Sequence, residues 1–150
     1  MSIEKTFVMI KPDGIQRGLA GDIISRFEKK GLKIIAMKML TLSKEMAEKN
    51  YTEHKGKDFY ESLISFITSG PVIAFVLKGT EAISIVRKLV GATNPADAEA
   101  GTIRGDHVLL TTFNIIHASD SSESAGREIG LFFDSKEIQN YSLKLKDYIF

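Results

Sequence analysis

Four short apolar runs divide this 150-residue chain, and the segments between them carry apolar residues at helical spacing. Phe7 to Ile10 is the first run. It stops at Lys11-Pro12-Asp13-Gly14, so it reads as a buried strand leading into a turn. Leu19, Ile23, Ile24 and Phe27 then recur at the period of a helix, which Lys29, Lys30 and Gly31 close. Ile34 to Leu42 is the second run. Ser43 is placed to cap a helix bearing Met46, Ala47, Asn50 and Tyr51. His54 to Asp58 is a polar loop, and Phe59, Leu63, Ile64, Phe66 and Ile67 mark another helix up to Gly70-Pro71. Val72 to Leu77 is the third run. Thr80 is the expected cap of the next helix, which carries Ile83, Val86, Leu89 and Val90 and ends at Gly91.

Ala92 to Asp106 shows no period and is rich in Ala, Thr, Gly, Asn, Pro and Asp. Structureless loops of that length inside a domain are usually functional or disordered. Val108 to Leu110 and Phe113 to Ile116 supply the fourth apolar stretch, and Asp120 and Glu123 have capping-box spacing for a helix through Ile129. The tail beyond has scattered apolar residues without a period. This order predicts an α/β (α+β) chain with a ferredoxin-like sandwich: a four-stranded antiparallel sheet, helices packed on it and a long loop before the last strand. No internal repeat or linker interrupts it, so one domain over residues 1–150 is expected.

Composition narrows the function. The formal net charge is +1, which gives no global field toward nucleic acid or a membrane surface. The chain has no cysteine, which excludes disulfides, thiolate metal sites and a cysteine nucleophile. No apolar run approaches the roughly 18 residues a membrane helix needs, and the N-terminal run is too short for a signal segment. A cytoplasmic protein is the expectation.

The common phosphate-loop, dinucleotide and zinc-protease motifs are absent, and His54, His107 and His117 have no local metal spacing. Phosphate-compatible residues nevertheless gather around the long loop. Lys11 ends the first strand, Arg87 lies on the helix before the loop, Thr93 and Asn94 open it, and Arg104 lies near its end. Arginine meets phosphate in a fork and lysine as a point charge. Taken singly, each reads as readily as a solvated charge. His117 is open to two readings as well. Backbone groups can satisfy both ring nitrogens, or one nitrogen can be held by a partner while the other acts as a nucleophile. Glu128 lies eleven residues on, about two helical turns past Asp120, within reach of the ring.

The motifs "MIKPDG", "NYTEHKGKDFY", "ATNPADAEAGTIRGD" and "NIIHASDS" occur in that order, and with them the chain resembles the nucleoside diphosphate kinase family over nearly its whole length. The resemblance implies a ping-pong transfer of the γ-phosphate of a nucleoside triphosphate to a nucleoside diphosphate, with broad base tolerance. It implies His117 as the phosphorylated nucleophile, acting through its δ nitrogen, with Glu128 and Ser119 orienting it. Lys11 and Asn114 would contact the ribose, Lys11 also lying near the transferring phosphate. Arg87, Thr93 and Arg104 would hold the phosphates, Phe59 would stack on the base, and Tyr51 would sit beside the transferring group. Mg²⁺ would ride on the nucleotide phosphates without direct protein ligands. A homo-oligomer is implied, a hexamer favoured over a tetramer, with no nucleic-acid or membrane partner. Three places depart from the family pattern: His107 replaces a phenylalanine, Thr111-Thr112-Phe113 replaces Val-Gly-Arg, and Phe132 stands where tryptophan is common. A catalytically weak scaffold and an RNA-binding module are the competing classes. The intact set of polar residues argues against the first, and the missing aromatic signature against the second.

Overall fold

The computed structural model describes residues 1–149. Strands β1 (Ile3–Ile10), β2 (Lys33–Leu40), β3 (Val72–Thr80) and β4 (Ile116–Ala118) form one sheet in the order β2-β3-β1-β4. All neighbouring pairs are antiparallel. Around the sheet lie α1 (Pro12–Gln16), α2 (Ala20–Lys30), α3 (Lys44–Asn50), α4 (Tyr60–Ile67), α5 (Ala82–Val90), α6 (Ile103–His107) and α7 (Ser122–Phe132). This is the expected ferredoxin-like sandwich.

Strand side chains alternate between two faces, and both faces are buried at the centre of the sheet. Phe7, Met9, Ala74 and Val76 face one way and pack against Ala47 of α3, Ile64 and Ile67 of α4, and Phe132 of α7. Val8, Ile10, Phe75 and Leu77 face the other way, against Ile23 and Phe27 of α2 and Val86 and Val90 of α5. Two-sided burial explains why β1 and β3 read as unbroken apolar runs rather than alternating ones.

Several boundaries differ from the sequence reading, each for a local reason. β1 starts at Ile3, because Ile3, Glu4 and Lys5 pair with Thr80, Gly79 and Lys78. The same pairing keeps Thr80 in β3, so the cap of α5 is Glu81, at a left-handed φ of 48°, and not Thr80. The Lys-Pro-Asp-Gly turn continues into α1, which has proline in its first turn where the missing N–H costs nothing. The long loop is not structureless to its end. Thr102 Oγ1 accepts from the Gly105 N–H at 2.9 Å and caps α6.

The fourth strand is also displaced. Only Ile116–Ala118 pairs with β1, while Leu109 and Leu110 are exposed. His117 therefore lies inside the strand, opposite Met9, rather than past its end. Ser121, not Asp120, caps α7: its Oγ accepts from the Ser124 N–H at 3.1 Å, while Asp120 takes the Ser124 hydroxyl at 2.7 Å. The tail returns to β2, where the Gln139 N–H donates to the Ile35 carbonyl at 2.8 Å and the Tyr141 hydroxyl donates to that of Ile34.

Candidate active site

A cleft of about 630 Å³ opens on the β1–β4 side of the sheet. Its floor is β4, with His117 at the centre. The His117 Nε2 lies 2.6 Å from Oε1 and 3.1 Å from Oε2 of Glu128, which α7 carries. A carboxylate is an acceptor, so Nε2 bears the proton and donates, and the lone pair falls on Nδ1. Glu128 is buried, and the Ser119 hydroxyl donates to its Oε1 at 3.1 Å. Ser119 thus bears on the carboxylate that holds the ring. The Tyr51 ring stands edge-on to the imidazole at 6.0 Å. Burial first, then the charge of Glu128, pushes its phenol up, so the hydroxyl stays protonated. Asn50 is its polar neighbour and opposes the shift, without a hydrogen bond of ordinary geometry.

Three cations converge above the floor. Lys11, at the end of β1, is buried and donates from Nζ to Asn114 Oδ1 at 2.8 Å. Desolvation, reinforced by the charge of Arg104 and opposed by Asp13, lowers its pKa to about 8. Arg104, on α6, donates to three backbone carbonyls: Gly91 at 3.2 Å, Asn114 at 3.3 Å and Ile116 at 2.6 Å. Desolvation, followed by repulsion from Arg87, lowers its pKa to about 10. Arg87 of α5 donates to the Ala118 carbonyl at 3.1 Å. Neither arginine has a carboxylate partner among the described residues. Lys11 and Arg104 are buried and Arg87 half-buried, and cations crowded in this way favour an anion in the space they face.

The backbone that holds these groups is strained at one point. Ile115 is buried and β-branched, yet its φ is 61°. The Ile116 N–H reaches back to the Asn114 carbonyl at 2.8 Å, which makes a γ-turn centred on Ile115. Two long-range bonds fix the turn: the Lys11 N–H donates to the Ile115 carbonyl at 2.9 Å, and the Ile115 N–H donates to Asp13 Oδ2 at 3.1 Å. Gly14 of α1 packs directly beneath. A β-carbon there would lie 2.8 Å from Ile10 Cγ2 and 2.9 Å from the Ile115 carbonyl oxygen. The "KPDG" motif therefore buttresses the turn that separates Asn114 from His117.

At the open end stands Phe59, at the N-terminus of α4 and 49% exposed. Thr93, on the loop after α5, also lines the cleft. All the residues expected in the site except Ser119 line this one cleft, and Ser119 lies behind Glu128. Sequence alone does not single out His54, whose ring lies 6.2 Å from Tyr51 and 5.3 Å from Phe59, or Phe66, Thr111 and Thr112, which also line the cleft. The signal for His54 is its place between the aromatics Tyr51 and Phe59. Among the described residues, no group of three or more His, Asp or Glu side chains converges to hold a metal ion. No helix among them is long and apolar enough to cross a membrane.

Comparison with known proteins agrees with this geometry. Residues 4–138 match the family model described as nucleoside diphosphate kinase. A nucleoside diphosphate kinase of Methanocaldococcus jannaschii is 64% identical over 90% of this chain and 96% of its own length. The structure of a halophilic nucleoside diphosphate kinase from Halobacterium salinarum in complex with CDP superposes with a TM-score of 0.96, at 46% identity over 99% of both chains. A transition-state mimic of the Borrelia burgdorferi enzyme with bound vanadate and ADP superposes at 0.92, with 41% identity over 98% of each chain. Fold and matches together define an enzyme, a phosphotransferase acting on nucleotides. The chain belongs to the nucleoside diphosphate kinase family, which moves the γ-phosphate of a nucleoside triphosphate to a nucleoside diphosphate in two half-reactions.

Proposed function

We propose that His117 carries the phosphate between the two half-reactions and that the surrounding residues divide the remaining work. The observation behind this is the 2.6 Å contact between His117 Nε2 and Glu128, which leaves Nδ1 as the free nucleophile. In the first half-reaction the Nδ1 lone pair forms a bond to the γ-phosphorus. The bond from that phosphorus to the β–γ bridging oxygen breaks, and the nucleoside diphosphate leaves. Glu128 stabilises the positive charge that develops on the ring. The second half-reaction runs in reverse, with the terminal oxygen of a different diphosphate as the attacking group.

Such a transition state spreads charge over its equatorial oxygens, so positioning and electrostatics dominate. Arg87, Arg104 and Thr93 would hold the donor phosphates, and Lys11 would reach both the transferring group and, with Asn114, the ribose. The unpartnered Tyr51 hydroxyl is a ready donor beside the transferring group. Ser119 keeps the Glu128 carboxylate in place. Phe59 offers its face to the base. Every base has a π-face, and a stack without edge-reading bonds supports broad base tolerance. That the superposable relatives hold CDP and ADP fits a site indifferent to the base.

The cationic donor set suits a nucleotide that brings its own ion rather than a protein cage. Magnesium bound to the phosphates would supply further charge neutralisation. The exposed Met37 and Met39 of edge strand β2, and the exposed pair Leu109 and Leu110, are apolar surface of the kind subunits cover. They support a homo-oligomer, for which we favour a hexamer. The nucleotide substrates favour action in the cytoplasm. Incubation with γ-labelled ATP and no acceptor tests the proposal. The protein should take up acid-labile, base-stable label that His117→Ala abolishes; label persisting in that variant would refute the assignment.

A further inference from the structure

Two walls face each other across the open end of the cleft. One is α4, with Phe59 at its start and Ser62, Leu63 and Phe66 along the side. The other is the single 3₁₀ turn Thr111–Phe113, of which Thr111 and Thr112 line the cleft. All three turn residues are exposed, so burial does not hold this wall in place. Its ties are specific. At one end Asn114 is fastened by the Lys11 ammonium at 2.8 Å. On the side toward α4, the Phe113 ring meets the Phe66 ring edge-on, with centroids 5.3 Å apart and planes at 76°. That is the favoured T-shaped geometry, in which the positive edge of one ring meets the negative face of the other. Phe113 is 47% exposed and anchors nothing in the main core.

We infer that Phe113 is a positioning residue for the nucleobase: by clasping Phe66 it ties the Thr111-Thr112 wall to the α4 wall and so fixes the width of the slot beside Phe59. The inference rests on Phe59 being the base platform, as proposed above. Slot width matters unequally to the substrates. A two-ring purine overlaps Phe59 widely and keeps most of its stacking when the opposite wall loosens. A one-ring pyrimidine has less overlap and depends more on contact from both sides. Phe113 does not itself line the cleft, and its ring meets Phe66 rather than His117 or a cation, so the clasp bears on the base more than on the chemical step.

Steady-state kinetics with GDP and CDP as acceptors, at saturating ATP, test this. In Phe113→Ala the KM for CDP should rise roughly three- to tenfold, the range an aromatic pair supplies. The KM for GDP should rise less, and kcat should stay within about twofold. Phe113→Tyr keeps the ring edge and should restore the parent KM values. Phe66→Ala should reproduce the Phe113→Ala pattern, and the double variant should be no worse than either single one. Unchanged KM values in Phe113→Ala, an equal rise for both acceptors, or additive effects in the double variant would overturn the clasp. Phe59→Ala separates the two levels. If it leaves both KM values unchanged, the base platform itself is misplaced, whatever Phe113 does.

Discussion

The Lys11 ammonium donates to Asn114 Oδ1 at 2.8 Å, joining the end of β1 to the segment that precedes the nucleophile strand. The bond holds a buried cation whose pKa is lowered from 10.5 to about 8, chiefly by desolvation. A lysine loses its charge as pH rises through its pKa, so attraction for the phosphates weakens above about pH 8. In the free enzyme kcat/KM should therefore fall on the alkaline side from about that pH. Bound phosphates favour the charged form, so the matching fall in kcat should lie higher. Rate profiles of both constants check this, and coincident alkaline limbs would argue against the assignment. Stability follows the same group. Between about 8 and 10.5 the unfolded chain binds more protons than the folded one, so this lysine makes stability rise with pH across that window.

Glu128→Gln keeps the shape of the support but removes its charge. An amide can accept from Nε2–H or donate to Nε2, so the nucleophilic tautomer is no longer enforced, and the positive ring is no longer stabilised. We expect kcat to fall roughly a hundredfold or more, as when an orienting carboxylate behind a catalytic histidine is neutralised. The melting temperature should change little. A kcat near that of the parent would remove Glu128 from the mechanism.

Gly14→Ala tests the buttress beneath Ile115. The new methyl meets Ile10 Cγ2 at 2.8 Å and a backbone carbonyl at 2.9 Å, neither of which is the free end of a flexible chain. Overpacking of this kind costs about 1–3 kcal/mol. Denaturant unfolding should register that loss, and activity should drop further than stability explains because the γ-turn sets the direction of Asn114. Unfolding curves that overlay the parent's would show that α1 gives way without strain.

Much of this site is legible in the sequence because chain connectivity alone brings its parts together. His117 and Glu128 are joined by one strand end and the first turns of one helix, so eleven residues suffice to fold the carboxylate back on the ring. Lys11 ends a central strand whose neighbour carries His117, so the topology sets them side by side. The features that escape are those decided by tertiary contacts. Nothing in an Ile-Ile pair announces a φ of 61°; that conformation exists because Lys11, Asp13 and Gly14 hold it from outside. Asp120 and Ser121 are both good caps, and α7 starts at the second because Asp120 instead accepts from the Ser124 hydroxyl. Thr80 has a capping side chain, but pairing with Ile3 keeps it in the sheet. His54 reads as loop and ends against Tyr51 and Phe59 because its polar segment folds over the cleft. The aperiodic tail is ordered by hydrogen bonds to β2 carbonyls, which leave no pattern in side-chain polarity.

Glu128 occupies Nε2 of His117 and leaves Nδ1 to take the phosphate. Phosphorus NMR of the protein phosphorylated by ATP, recorded without acceptor, distinguishes the two phosphohistidine isomers. One phosphohistidine is expected, substituted at Nδ1, that disappears when a nucleoside diphosphate is added. An Nε2-substituted isomer, or a phosphohistidine that no diphosphate discharges, would contradict it.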